Sequence, residues 1–101
     1  MSASLSFTIR RPIFGTGTVT AYTGTAGTRA AFGAGVNSVW VLCTTAAYVK
    51  VGVSATATSV DWPVAANVPI VIPIDGDSTG QVVSAVQVAS GGNLHVIGLA
   101  D

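Results

Sequence analysis

Charge is what this sequence has least of. Lysine and arginine together number four, aspartate numbers four and glutamate is absent. Charged residues make up 8% of the 101 residues, against about 25% in a typical soluble domain. That deficit excludes a long charged surface helix. It also excludes a nucleic-acid binder that neutralises many phosphates, because such a protein needs clustered Lys and Arg. One histidine, one cysteine and four aspartates leave little from which to build an acid, a base or a nucleophile, so no enzyme is expected. Cys43 is alone, so it has no intrachain disulfide partner and reads as a small buried hydrophobe. Long apolar runs are missing as well. The longest candidate, Trp62 to Ile74, is broken by Pro63, Asn67, Pro69 and Pro73, and a spanning helix needs about 20 consecutive apolar residues. The stretch from Met1 to Arg11 lacks the apolar core of a signal peptide. No membrane association is expected.

What is present is apolar. Half of the residues are hydrophobic and the formal net charge is zero. A domain of this length buries about 60–70% of the surface its unfolded chain exposes, so part of the apolar surface stays outside or is covered by a partner. A surface with so little charge is poorly repelled and prone to associate. Both points predict an oligomer, or a component of a larger assembly.

The apolar residues alternate. Leu5, Phe7 and Ile9 share one face of a short segment, with Ser4, Ser6 and Thr8 on the other, the period of a half-buried strand. Residues 12–35 are rich in Gly, Thr and Ala; Thr18 to Tyr22 reads as one strand, and the remainder as a loop or an extended arm. From Val36 onward the alternation is strong. Val39, Val41 and Cys43 alternate with Trp40 and Leu42; Ala47, Val49, Val51 and Val53 alternate with Tyr48, Lys50 and Gly52. Val60 to Pro63 reads as a turn. Val68, Ile70, Ile72 and Ile74 follow, alternating with Pro69, Val71 and Pro73. Residues 69, 71 and 73 of such a strand aim their N–H groups to one side, and proline removes two of those three donors. An edge strand is therefore expected there. Asp75 to Gly80 is a turn, Gln81 to Ser90 a strand, Ser90 to Asn93 a tight hairpin loop, and Leu94 to Leu99 a closing strand. No apolar stripe of helical period runs beyond about two turns. The expectation is an all-β fold of about six to eight strands: a small antiparallel β-sandwich, jelly-roll-like, or a β-barrel. It is a single domain, with an N-terminal strand and Gly/Thr-rich arm or loop over residues 1–35 and the sandwich core over residues 36–101.

The search for chemistry returns little. His95 has no acidic or cysteine neighbour at ligand spacing and reads as a half-exposed strand residue. Asp75 and Asp77 lack the third carboxylate and bidentate glutamate of a calcium loop, and their glycine-rich setting reads as turn geometry. Gly15-Thr16-Gly17 opens like a dinucleotide fingerprint, but Thr20 stands at the third glycine position and no helix pattern follows. No cofactor is expected.

The run from Val39 to Gly52, followed by Val64-Ala65-Ala66-Asn67-Val68-Pro69, a polar turn, a valine-rich strand and Gly92-Asn93-Leu94-His95-Val96, resembles small virion proteins of tailed bacteriophages. The resemblance covers residues 36–99. It implies a β-sandwich capsid decoration, or cement, protein on the outer surface of the virion, made in the host cytoplasm. Its partners would be the major capsid protein and further copies of itself, as a trimer or dimer. Such proteins act through surfaces, so no catalytic residue carries over. Arg10 and Arg11 are candidates for pairing with carboxylates on a partner. Phe14 is a candidate for the interface, and Phe32, Trp40, Tyr48 and Trp62 are candidate anchors of either the core or the interface. A receptor- or glycan-binding module on a fibre, drawing on Tyr48, Asp61 and Trp62, and a head–tail joining or tail subunit are the alternatives.

Overall fold

The computed structural model describes residues 11–74 and 76–100. Every regular element among them is a strand: β1 (Arg11–Pro12), β2 (Thr18–Tyr22), β3 (Gly27–Thr28), β4 (Ser38–Cys43), β5 (Ala47–Val53), β6 (Trp62–Val64), β7 (Ile70–Pro73), β8 (Gln81–Gln87) and β9 (Gly92–Ala100). They form two antiparallel sheets. One runs β1-β9-β4-β7, with β2 also on β9; the other runs β3-β8-β5-β6. The expected sandwich is what forms.

The pairing is nested. β2 lies on β9, β3 on β8, β4 on β7 and β5 on β6. The chain is thus one long hairpin, with its tip at residues 54–61. That hairpin is rolled so that β4 also pairs with β9 and β5 with β8. A hairpin rolled into two sheets is a jelly roll.

Alternation decides which side chains fill the space between the sheets. Val39, Val41 and Cys43 of β4 and Leu94 and Val96 of β9 meet Ala47, Val49, Val83 and Ala85 of the other sheet in one core. Fully burying a large aliphatic side chain stabilises by about 1.5–3 kcal/mol. Cys43 behaves as the hydrophobe expected of it: it is a free, buried thiol, and burial raises its pKa, offset in part by a hydrogen bond with Tyr22. The intervening residues Trp40, Leu42, His95 and Ile97 occupy the outer face of the first sheet. There Trp40 stands opposite both Ile97 and Val71, and Leu42 opposite His95.

Several segments differ from the sequence expectation. Residues 90–93 do not form a hairpin loop, because β8 and β9 belong to different sheets; the segment crosses between them. Its glycines are absent from the positive-φ positions and serve space instead. A Cβ on Gly92 would stand 2.6 Å from the Thr45 hydroxyl oxygen and 2.8 Å from those of Thr44 and Tyr22. The strand expected through Ser90 ends at Gln87. The turn placed at residues 60–63 lies two residues earlier: Asp61 N–H donates to the Thr58 carbonyl at 3.0 Å, and Trp62 and Pro63 already belong to β6. The Gly/Thr-rich stretch is no free arm over its described length. β1 and β2 pair with β9, and β3 with β8. Between β1 and β2 the Thr16 hydroxyl takes over from the backbone, accepting from Gly98 N–H at 2.9 Å and donating to the Ile13 carbonyl at 2.6 Å. The strand expected over residues 4–9 lies outside the described residues, as do Arg10 and Asp75.

Candidate functional site

The two long flanks of the sandwich are built differently. On one flank β2 and β3 meet, and the side chain of Arg29 closes the corner. Its Nε donates to Thr18 Oγ1 at 2.9 Å, one terminal nitrogen to the Ala30 carbonyl at 2.9 Å and the other to the Thr16 carbonyl at 3.0 Å. The guanidinium carbon lies 3.7 Å from the centroid of the Phe32 ring. Arg29 is buried, and burial lowers its pKa. This cation is a structural cross-brace, satisfied by carbonyls, a hydroxyl and a ring face. Phe32, a candidate anchor of either core or interface by sequence, is 5% exposed and takes the core role. Backbone bonds with Gly80 and Gln81, far along the chain, hold it there.

The opposite flank is open. β6 and β7 are the outer strands of their sheets, and between them lies a cleft of about 690 Å³. Val49, Val51, Trp62, Ile70 and Ile72 line it, and the polar Lys50, Asp61 and Gln81 also border it. Trp62 stands opposite Val49 in the β5–β6 pair, so it occupies a core-facing register. Because β6 ends its sheet, the indole is not covered and remains 66% exposed. Val53, Val60, Val68 and Val71 are also exposed, on the strands and turns that border the cleft. Asp61 Oδ2 is held by the Thr58 N–H at 2.7 Å and the Thr58 hydroxyl at 3.1 Å.

Proline explains why this open flank does not extend its sheets. Ile74 N–H donates to the Asn37 carbonyl at 2.9 Å, so the even-numbered residues of β7 bond to β4. Antiparallel pairs alternate, which turns residues 69, 71 and 73 outward. Pro69 and Pro73 then leave Val71 as the sole outward donor of the three. The same alternation applies to β6. Pro63 has no N–H to give Tyr48, its register partner, so Trp62 and Val64 make the ladder bonds and Pro63 faces out. On β1, Ile13 N–H donates to the Gly98 carbonyl at 2.8 Å, which turns Pro12 outward too. All four prolines of the chain therefore remove outward-facing donors at sheet edges, and the expected edge strand at residues 69–73 is confirmed and generalised.

The other sequence candidates are dispersed. Arg11 is exposed on β1, Phe14 is 86% exposed in the turn after it, and Tyr48 is half-buried on β5. None of them lines the cleft with Trp62. Among the described residues no cluster of His, Cys, Asp or Glu forms a metal site. Asp77 instead makes a turn: Oδ1 accepts from Thr79 N–H at 2.9 Å, and that bond holds its carboxyl below the usual range. Among the described residues no helix is long and apolar enough to cross a membrane. The sequence missed the cleft itself and the roles of Val51, Ile70 and Ile72 in it; the position of β6 and β7 at sheet ends is a tertiary fact. Comparison with family models, known proteins and solved structures gave no match.

Proposed function

We propose that this chain is a virion structural protein, a capsid decoration protein that binds the outer shell of a tailed bacteriophage and stabilises it. The observation that carries the reading is the combination of exposed apolar side chains around the β6–β7 cleft with sheet edges stripped of donors by proline. Such a subunit is suited to association through side chains and faces, while strand-by-strand polymerisation is suppressed. The low charge of the whole chain fits a surface that spends its life covered. Jelly rolls serve in viral capsid and lectin domains, and this analogy of fold adds weight without naming a site. The sequence resemblance over residues 36–99 points the same way. A ligand that binds only the assembled shell stabilises it by mass action, and many copies on one lattice multiply weak contacts.

The test mixes the purified protein with undecorated capsids and images them by electron cryomicroscopy. Regular added density at symmetry-related positions, with a higher melting temperature of the decorated shell, is the expected result. Capsids that stay bare at saturating protein overturn the reading. The exposed Trp62 beside Asp61 favours one second reading, a glycan-binding module on a fibre, because an indole face and a carboxylate at a cleft mouth suit a sugar ring. Binding on a glycan array that Trp62→Ala abolishes, with no capsid binding, selects it.

A further inference from the structure

We propose that the outer edge of β2 is a docking site for an extended peptide segment of a second protein, which adds to the first sheet as a further strand. The segment is uncharged where it pairs and sets an apolar, β-branched side chain beside Val19. The inference goes beyond the capsid reading and stands on the β2 edge alone.

The edges of the sandwich are not built alike. Pro12 blocks β1, Pro63 blocks β6, and Pro69 and Pro73 block β7, while β3 spans two residues only. β2 is the exception. Its five residues, Thr18–Tyr22, include neither proline nor a charged side chain. Its register on β9, from Thr18 opposite Val96 to Tyr22 opposite Gly92, is unbroken by a bulge. The devices that ordinarily protect a sheet edge are therefore missing from this strand. Alternation shows which groups it offers. Ile13 N–H donates to the Gly98 carbonyl and Asn37 N–H to the Leu99 carbonyl. Even-numbered residues of β9 thus bond toward β1 and β2, and odd-numbered ones toward β4. Thr18, Thr20 and Tyr22 make the ladder bonds of β2, and the N–H groups of Val19 and Ala21 turn outward. Among the described residues no backbone bond outside the ladders reaches either of them.

Outward main-chain groups at alternate residues, about 7 Å apart, define the occupant. An extended backbone offers acceptors and donors at that spacing. The edge is also ordered in advance. Arg29 reaches Thr18 Oγ1 and the Thr16 carbonyl, so it fixes β2 from the side of the core and leaves the outward groups untouched. An edge held this way loses less entropy when a strand joins it. The outer face sets the side-chain preference. Val19 is 61% exposed and Ala21 is exposed and small, so an apolar, β-branched neighbour covers Val19 best. A second copy fits this edge less well. Pairing β2 with β2 so that Val19 meets Ala21 calls on the Ala21 carbonyl, which lies against Gly27, where a Cβ would run into it. Centring the pair on Val19 sets Ala21 against Gly17, outside β2. The added strand does not start a filament, because β7 at the far end of the sheet is blocked by its prolines.

The experiment adds a capped peptide of alternating threonine and valine, with lysines at both ends for solubility, to the full chain and follows amide hydrogen exchange by NMR. In the free protein the Val19 and Ala21 amides are expected to exchange quickly at every protein concentration. Saturating peptide is expected to slow both by about tenfold or more and to leave Val71 of β7 unchanged. The same peptide N-methylated at every residue has no main-chain donor and is expected to give no protection. Val19→Pro removes an outward donor that β9 does not use, and is expected to weaken peptide binding about tenfold. If Val19→Pro disturbs the fold, the N-methylated peptide on the wild type carries the test. Val19 and Ala21 amides that stay unprotected at saturating peptide overturn the proposal. So does equal protection by the N-methylated peptide, or equal protection at Val71. Protection of Val19 and Ala21 that rises with protein concentration in the absence of peptide gives the edge to a second copy and overturns it as well.

Discussion

The guanidinium of Arg29 lies 3.7 Å over the ring of Phe32, and through this contact the described chain from Thr16 to Phe32 is pinned to the sandwich flank. Arg29→Ala removes three hydrogen bonds and the ring contact together. A net hydrogen bond is worth about 0.5–1.5 kcal/mol and a partly desolvated cation–π contact about 1–2 kcal/mol. A loss of about 3 kcal/mol is expected in urea unfolding. Arg29→Lys recovers little of it, because an ammonium cannot reach Thr16, Thr18 and Ala30 at once.

Gly92 marks where the chain passes under the hydroxyls of Tyr22, Thr44 and Thr45. The Tyr22 hydroxyl donates to the Thr45 carbonyl at 2.7 Å, and Thr44 Oγ1 accepts from Asn93 N–H at 2.8 Å. A methyl group at Gly92 displaces this network. Gly92→Ala is expected to cost about 2–3 kcal/mol and Gly76→Ala, whose Cβ meets nothing, about 1 kcal/mol through its positive φ. Thermal unfolding of the two variants checks the ranking.

Pro69 and Pro73 guard the outer side of β7. Replacing both with valine restores two outward donors and completes a pairing edge without touching the core. The expected outcome is normal unfolding at low concentration but thioflavin-positive assemblies at high concentration. A double variant as soluble as the wild type shows that the edge needs no guard.

Asp77 contributes a pH dependence of defined sign. Its folded pKa is depressed, chiefly by the bond from Thr79 N–H. Its stabilisation is therefore present above the unfolded value of about 3.9 and lost as pH falls through the lower folded value. Asp77→Asn keeps an oxygen acceptor but no titration. The stability gap between wild type and Asp77→Asn is expected to shrink between neutral pH and strong acid, and a constant gap contradicts the assignment.

Period-two alternation made most of the strands legible. Val39, Val41 and Cys43, and Ala47 and Val49, are buried as their spacing demands. Proline spacing made one edge legible, because a missing N–H is a property of the residue itself. Phe32 is ambiguous between core and interface by sequence, since an aromatic in a Gly/Ala-rich stretch shows no periodicity and its partner Arg29 serves strands on both sides of the flank. The glycines at 91 and 92 misled for a related reason: they carry the composition of a tight turn, yet a steric demand set by residues 22, 44 and 45 placed them there.

By itself the sequence determined an all-β chain with little charge, a buried unpaired cysteine and at least one blocked edge, because alternation, charge and the absence of an N–H act locally. Only the tertiary structure decided that the strands nest into a jelly roll, that one flank is braced by Arg29 and the other left open, and that Trp62 stands at an uncovered core position. Those outcomes depend on which distant strands end each sheet, a choice made by how the whole hairpin rolls to bury its apolar faces.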